Sequence, residues 1–201
     1  MDWEHIIEAL KKNRYAVSFF HTKEEAVAYL EGMFEGAVIG FGDSVTMSQM
    51  GLNEALSKKN TVIDPKKAVG MENFLRTAKE SLTTEYYFTS VNGMTEDGIL
   101  INLDGTGNRV AGSLFGHKKV FFIVGRNKIA PDLEQAVWRV RNIAAPKNAH
   151  RKKLQTPCAV LGDKCYDCDS PDRICNGLLI QMKKMRHIEE EIILIDEDLG
   201  Y

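Results

Sequence analysis

Apolar residues recur along this chain in two rhythms, one helical and one alternating, and their order predicts a β/α succession. Helical spacing puts Ile6, Ile7 and Leu10 on one face of residues 3–13, and residues 15–20 then alternate as a strand does. Thr22 followed by Glu25 has the form of a capping box and opens a helix with Ala26, Leu30 and Met33 on one side. A short apolar strand at residues 37–39 runs into Gly40-Phe41-Gly42-Asp43-Ser44. A helical stretch to about Leu56, a strand at Thr61–Ile63 and a helix carrying Met71, Phe74, Leu75, Ala78 and Leu82 complete the N-terminal half.

Residues 86–91 and 120–124 read as buried strands. Glu96-Asp97-Gly98 lies between apolar runs, and an Asp-Gly pair there signals a hairpin turn, so residues 99–103 are expected to return antiparallel to residues 86–91 in a mixed sheet. Pro131, acidic Asp132 and Glu134, and an apolar face of Leu133, Ala136, Val137, Val140 and Ala144 predict a helix ending near Pro146. A basic patch (Lys147, His150, Arg151, Lys152, Lys153) leads into a cysteine-rich segment, residues 156–176. The chain is then expected to close on a hairpin of residues 178–182 against 192–196, with the acidic end of the chain as its polar edge.

A chain of 201 residues with 44% hydrophobic and 27% charged residues suits one domain, residues 1–201, with a full core. A net charge of -2 gives no general attraction for nucleic acid or for an anionic membrane. No basic n-region and apolar h-region open the chain, and no apolar run reaches the ~18 residues that span a bilayer, so a cytoplasmic location is expected.

Polar residues gather where the strand-like runs end. Gly40, Gly42, Asp43 and Ser44 follow a strand and precede a helix, which suits a phosphate or carboxylate, although a G-x-G also serves wherever a tight turn is needed. Asn92, Glu96, Asn102 and the run Asp104-Gly105-Thr106-Gly107-Asn108-Arg109 follow the strand at 86–91. That run offers flexible backbone, a hydroxyl, an amide and a guanidinium to one anion. Arg126 and Lys128 lie just past the strand at 120–124 and are expected to converge with Arg109 at the carboxyl edge of the sheet, where open α/β sheets form ligand crevices. The five histidines are scattered without metal-ligand spacing and read as surface or helix-end residues, and no G-x-S-x-G elbow is present.

At these residues the chain resembles known families. Residues 37–44, AVIGFGDS, are similar to the strand and loop of ribose-5-phosphate isomerase. Residues 94–106, MTEDGILINLDGT, are similar to a segment of the methylthioribose-1-phosphate isomerase and initiation-factor-2B group. The resemblance to the LUD family, the lactate-utilisation protein C group, covers nearly the whole chain. It is carried by TEDGILINLDGTGNRV, GRNKIAPDLEQAVWRVRNIAAPKNAHR and the terminal DEDLGY.

It implies an α/β fold like that of ribose-5-phosphate isomerase, glucosamine-6-phosphate deaminase and the CoA transferases. In that fold three α/β/α layers enclose a mostly parallel mixed sheet, here with a small C-terminal cysteine-containing hairpin segment added. It also implies a link to L-lactate oxidation beside iron-sulfur partner proteins, with a small carboxylate, phosphate or CoA-like ligand. Where the isomerase pattern has a catalytic Asp, this chain has Asn92, which cannot exchange protons near neutral pH. Isomerase or ligase chemistry on a phosphorylated small molecule is the lesser alternative. Glu96 is the nearest remaining carboxylate, similar in kind to the nucleophilic Glu of CoA transferases and otherwise a solvated turn residue.

All four cysteines, Cys158, Cys165, Cys168 and Cys175, fall within eighteen residues. Three readings stay open for them: an iron-sulfur cluster or zinc held by four thiolates, reduced structural or redox-active thiols, or disulfides. The first would make the protein an electron-transfer or assembly subunit.

Overall fold

The computed structural model describes all 201 residues. Six parallel strands form the main sheet in the order β1 (Ala16–Phe20), β10 (Glu189–Ile195), β7 (Lys119–Gly125), β4 (Tyr86–Ser90), β2 (Val38–Phe41) and β3 (Thr61–Ile63). A second sheet carries the antiparallel pairs, in the order β8 (Ile129–Ala130), β5 (Gly93–Thr95), β6 (Leu100–Asp104) and β9 (Gly177–Gln181).

The central strands read as unbroken apolar runs because both of their faces are covered. Phe88, Phe121, Ile123, Ile193 and Ile195 point to one side, where they meet Ala26 and Leu30 of α2 (Lys23–Glu31), Met47 of α3 (Val45–Gln49) and Leu52 and Leu56 of α4 (Leu52–Leu56). Phe88 and Phe121 stack there at 4.5 Å, and burying each such side chain contributes about 1.5–3 kcal/mol. Val120, Phe122, Val124, Ile192 and Leu194 point to the other side, against Ile6 and Leu10 of α1 (Trp3–Lys12) and against Met94 and Leu100 of the second sheet. The far face of that second sheet packs Ile101 and Ala130 on Ala136 of α7 (Leu133–Arg139) and on Val140.

Several expectations change. The turn at Glu96-Asp97-Gly98 forms, with Gly98 at φ +77°, but the strand that enters it is β5. β4 stays in the main sheet between β2 and β7, so the chain changes sheets at Val91-Asn92. The C-terminal hairpin does not form. β9 adds to the edge of the second sheet, whereas β10, buried at six of its seven positions, inserts between β1 and β7. Glu190 and Glu191 are accordingly buried rather than set on a polar edge.

The helix does not stop at Pro146. A π-helical segment at Val140–Ala144 lengthens the hydrogen-bond spacing just before Pro146, and the helix continues past it as α8 (Ala145–Arg151), the missing proline N–H falling where the spacing changes. The cysteine segment is a short helix, α9 (Pro157–Leu161), followed by irregular chain, not a hairpin. No helix is long and apolar enough to cross a membrane.

Candidate functional site

A cavity of about 90 Å³ opens at the carboxyl ends of β2, β4 and β6. By the ~10–15 Å³ that one water occupies on this measure, it holds several waters or one small metabolite. Asp43, Ser44 and Thr46 reach it from beyond β2, Ser90 and Asn92 from the sheet change after β4, and Asp104 to Thr106, Asn108 and Arg109 from beyond β6.

Lys128 forms the floor. It sits in a single 3₁₀ turn after β7, is only 3% exposed, and its Nζ donates at 2.6 Å to both Thr46 Oγ1 and Ser90 Oγ. Ser90 Oγ in turn donates to the Ile123 carbonyl at 2.5 Å. No carboxylate pairs with the amine. Burial first, then the charges of Arg139 and Arg109, hold it well below the ordinary lysine range. Gly200, at φ +69°, covers the other side of this group, and a Cβ there would collide with Thr46 Oγ1 and come within 3.3 Å of Nζ.

Arg109 is tied into the wall. Its Nη2 donates to the Leu103 carbonyl at 2.9 Å and to Asn92 Oδ1 at 3.2 Å, and its Nε lies 3.5 Å from Asp104 Oδ1. Asn92 Oδ1 also accepts from the Leu103 N–H at 2.9 Å, which fixes the orientation of the amide and leaves its Nδ2 without a partner in the chain. The Asn108 amide nitrogen, on the same wall, is buried and equally unpartnered. Behind this layer Arg139 donates to the carbonyls of Asn127, Asn92 and Tyr201, and burial lowers its pKa to about 10. Arg151 and Lys152, at the end of α8, stand on the rim, and Lys152 lies 3.8 Å from Asp43. The lining thus holds three cations, Arg109, Arg151 and Lys152, and the buried Lys128 amine, against the carboxylates of Asp43 and Asp104.

The second glycine loop works differently from its sequence reading. Asp104 spends its carboxylate on the loop itself, accepting from the N–H groups of Gly105 at 3.0 Å, Arg109 at 3.1 Å and Val110 at 3.3 Å. These donors are therefore engaged, and side chains rather than backbone face the cavity. Ser44 likewise caps its own helix through the Met47 N–H, at 3.5 Å.

Several other predicted site residues lie elsewhere. Gly40 and Gly42 do not line the cavity; a Cβ at Gly42 would sit 2.6 Å from the Tyr87 hydroxyl, so this glycine serves close packing. Asn102 is buried in β6 with Oδ1 unpartnered, and Gly107, at φ +88°, opens the helix α6 (Asn108–Leu114) from an exposed turn. Glu96 is half-buried outside the cavity, and its N–H bonds the Ala130 carbonyl. Arg126 points outward to Asp198 at 2.9 Å and Asp196 at 3.6 Å, so two of the three expected cations converge and one does not. His117 is no surface residue: it is buried, stacked on Tyr87 at 4.6 Å, and bonded through Nδ1 to the Thr84 carbonyl at 2.6 Å.

Thr46, Ser90, Arg139 and Arg151 escaped the sequence reading. Ser90, next to Val91-Asn92, Arg151, in the basic patch, and Arg139, inside the family segment at residues 125–151, carried a signal there; Thr46 carried none.

The cysteine segment closes one side of the crevice. Ile174 lines it, the Asn176 N–H bonds the Asp104 carbonyl at 3.0 Å, and a Cβ on Gly105 would lie 3.0 Å from Ile174 Cα. Arg173 clasps the segment through the carbonyls of Cys168 at 2.7 Å and Cys175 at 3.2 Å. All four cysteines are half-buried and none is bonded to another, and burial raises the Cys175 thiol. No three Cys, His, Asp or Glu side chains are drawn together in ligand geometry, while the Cys175 thiol lies near enough to Cys165, Cys168 and Cys158 to feel their charge.

A parallel six-stranded sheet covered on both faces, with a second mixed sheet and a crevice at the strand ends, defines a layered α/β protein of the kind that holds ligands outside its strand termini. The profile of the LUD domain matches residues 3–195, and the chain belongs to that family. Its fold is also similar to the crystal structure of a DUF162 family protein from Deinococcus radiodurans. The TM-score is 0.54 at 12% identity, over 96% of this chain and 94% of the other. A search of curated proteins returned no match.

Proposed function

We propose that this LUD-family protein binds a small anionic metabolite, a carboxylate or a phosphate, in the crevice floored by Lys128. The observation that carries the reading is the Lys128 amine itself, buried beside Arg109 with two hydroxyls and no acid for company. Burial holds that amine toward its neutral form, so the counter-charges for an anion in the cavity are Arg109 in the wall and Arg151 and Lys152 on the rim, with the Lys128 amine as a further donor. The unpartnered amide nitrogens of Asn92 and Asn108 add donors for the same ligand.

At about 90 Å³ the cavity admits a compact acid but not a nucleotide. A CoA-like ligand therefore enters only by its acyl end, with its phosphates along Arg151 and Lys152. The family's association with lactate utilisation supports L-lactate and pyruvate as the first ligands to try, and L-lactate oxidation as the setting of the protein's work.

The test is isothermal titration of the full chain with L-lactate, pyruvate, acetyl-CoA and inorganic phosphate, beside Arg109→Ala. Heat from at least one of these, lost in Arg109→Ala, is expected, together with failure of Arg109→Ala to restore growth on lactate to a strain lacking the protein. Silence from all four ligands overturns the reading.

A further inference from the structure

We infer that Lys128 is a nucleophile that captures a 2-oxo acid of pyruvate size as a Schiff base. This deepens the anion-site reading above and rests on it. The argument begins with the hydrogen-bond inventory of Nζ. An ammonium has three N–H donors, and a neutral amine has two donors and a lone pair. Thr46 Oγ1 and Ser90 Oγ supply two acceptors at 2.6 Å, and the chain offers no third. The neutral amine satisfies both bonds with nothing left over except its lone pair, in a residue that lines the cavity. The ammonium would bury an unpaired donor next to two other cations, Arg109 and Arg139, and it is the less stable form there. An unprotonated, positioned lysine is the form in which amines attack carbonyls.

The surroundings suit a substrate that carries a carboxylate beside its carbonyl. Arg109 and the free amide donors of Asn92 and Asn108 line the same crevice and can hold the carboxylate. The cavity's size limits the remainder to a few atoms.

In the step, the Nζ lone pair forms a bond to C2 while the carbonyl π pair moves to oxygen. One N–H proton passes to that oxygen and gives a neutral carbinolamine. Loss of the hydroxyl with the second N–H proton, as water, leaves the C=N bond. The Thr46 hydroxyl, which accepts from the nitrogen and whose own proton makes only a long bond of 3.4 Å to the Leu199 carbonyl, is placed to relay the protons.

The experiment is treatment of the full chain with pyruvate and sodium borohydride, followed by intact-mass measurement and peptide mapping, with pyruvate titration calorimetry on the same preparation. One reduced adduct per chain is expected, on Lys128, with none from L-lactate, which has no carbonyl at C2, and none in Lys128→Met. The site of labelling in the native chain decides independently of the variant: an adduct on other lysines, or spread over many, overturns the inference. Heat of pyruvate binding without an adduct overturns the Schiff base and leaves the anion site standing, whereas neither heat nor adduct removes both.

Discussion

The Lys128 amine lies 2.6 Å from the Ser90 hydroxyl, a contact across 38 residues that ties the turn after β7 to the point where the chain leaves the main sheet. Ser90 also bonds the Ile123 carbonyl, so one hydroxyl joins two strand ends and the floor of the crevice. Ser90→Ala removes one of two acceptors from a buried amine, at an expected cost of about 1–3 kcal/mol in urea unfolding. Lys128→Met, which replaces the buried polar group with an apolar one of similar length, is expected to unfold at the same or higher urea while losing ligand binding.

Arg109→Lys keeps the charge and loses the planar fork that reaches Asn92 Oδ1 and the Leu103 carbonyl together. At least about tenfold weaker binding of the anion, equivalent to roughly 1.4 kcal/mol, is expected by calorimetry, with the circular dichroism spectrum unchanged. Equal affinity in the two proteins would place the anion elsewhere.

Gly105→Ala puts a methyl group 3.0 Å from Ile174 Cα and from its carbonyl oxygen. Backbone does not yield as a side-chain tip does, so the cysteine segment is expected to shift away from the crevice wall. The readout is thiol modification, several-fold faster at Cys168 and Cys175 than in the native chain. Unchanged rates would show that the segment and the Asp104 to Arg109 loop are not coupled.

Glu190 gives a pH dependence remote from the site. Burial raises its pKa from the usual 4.5 to about 7, with Gln181 Nε2 at 2.9 Å as hydrogen-bond partner. Between those values the folded state holds the proton and the unfolded state does not, so stability falls as pH rises through this window. The loss is on the order of 3 kcal/mol. Glu190→Gln is expected to flatten the slope in urea unfolding between pH 4.5 and 7, and a slope equal to the native one would assign the dependence to other groups.

The chain's own pattern determined that a β/α domain would form, that Thr22 and Glu25 would cap a helix as a reciprocal pair, and that Asp97-Gly98 would turn a hairpin. Each of these depends on residues close in sequence, whose spacing and backbone preferences are local. The LUD resemblance, carried by residues 95–110, 125–151 and the terminal DEDLGY, pointed to the right family, and its first segment forms one wall of the crevice.

Tertiary structure alone decided which strands pair. An apolar run such as Ile192 to Ile195 is equally suited to a hairpin and to the centre of a parallel sheet until its neighbours are known, and β10 took the centre because both of its faces could be buried there. It also decided the fate of the charges. Arg126 and Lys128 are two residues apart, yet one reaches solvent and Asp198 while the other is buried at the cavity floor against Thr46, Ser90 and Gly200. That separation arises from a 3₁₀ turn at the end of a buried strand, which sends successive side chains in different directions, and from partners 38 and 82 residues away. No local pattern encodes partners at that distance.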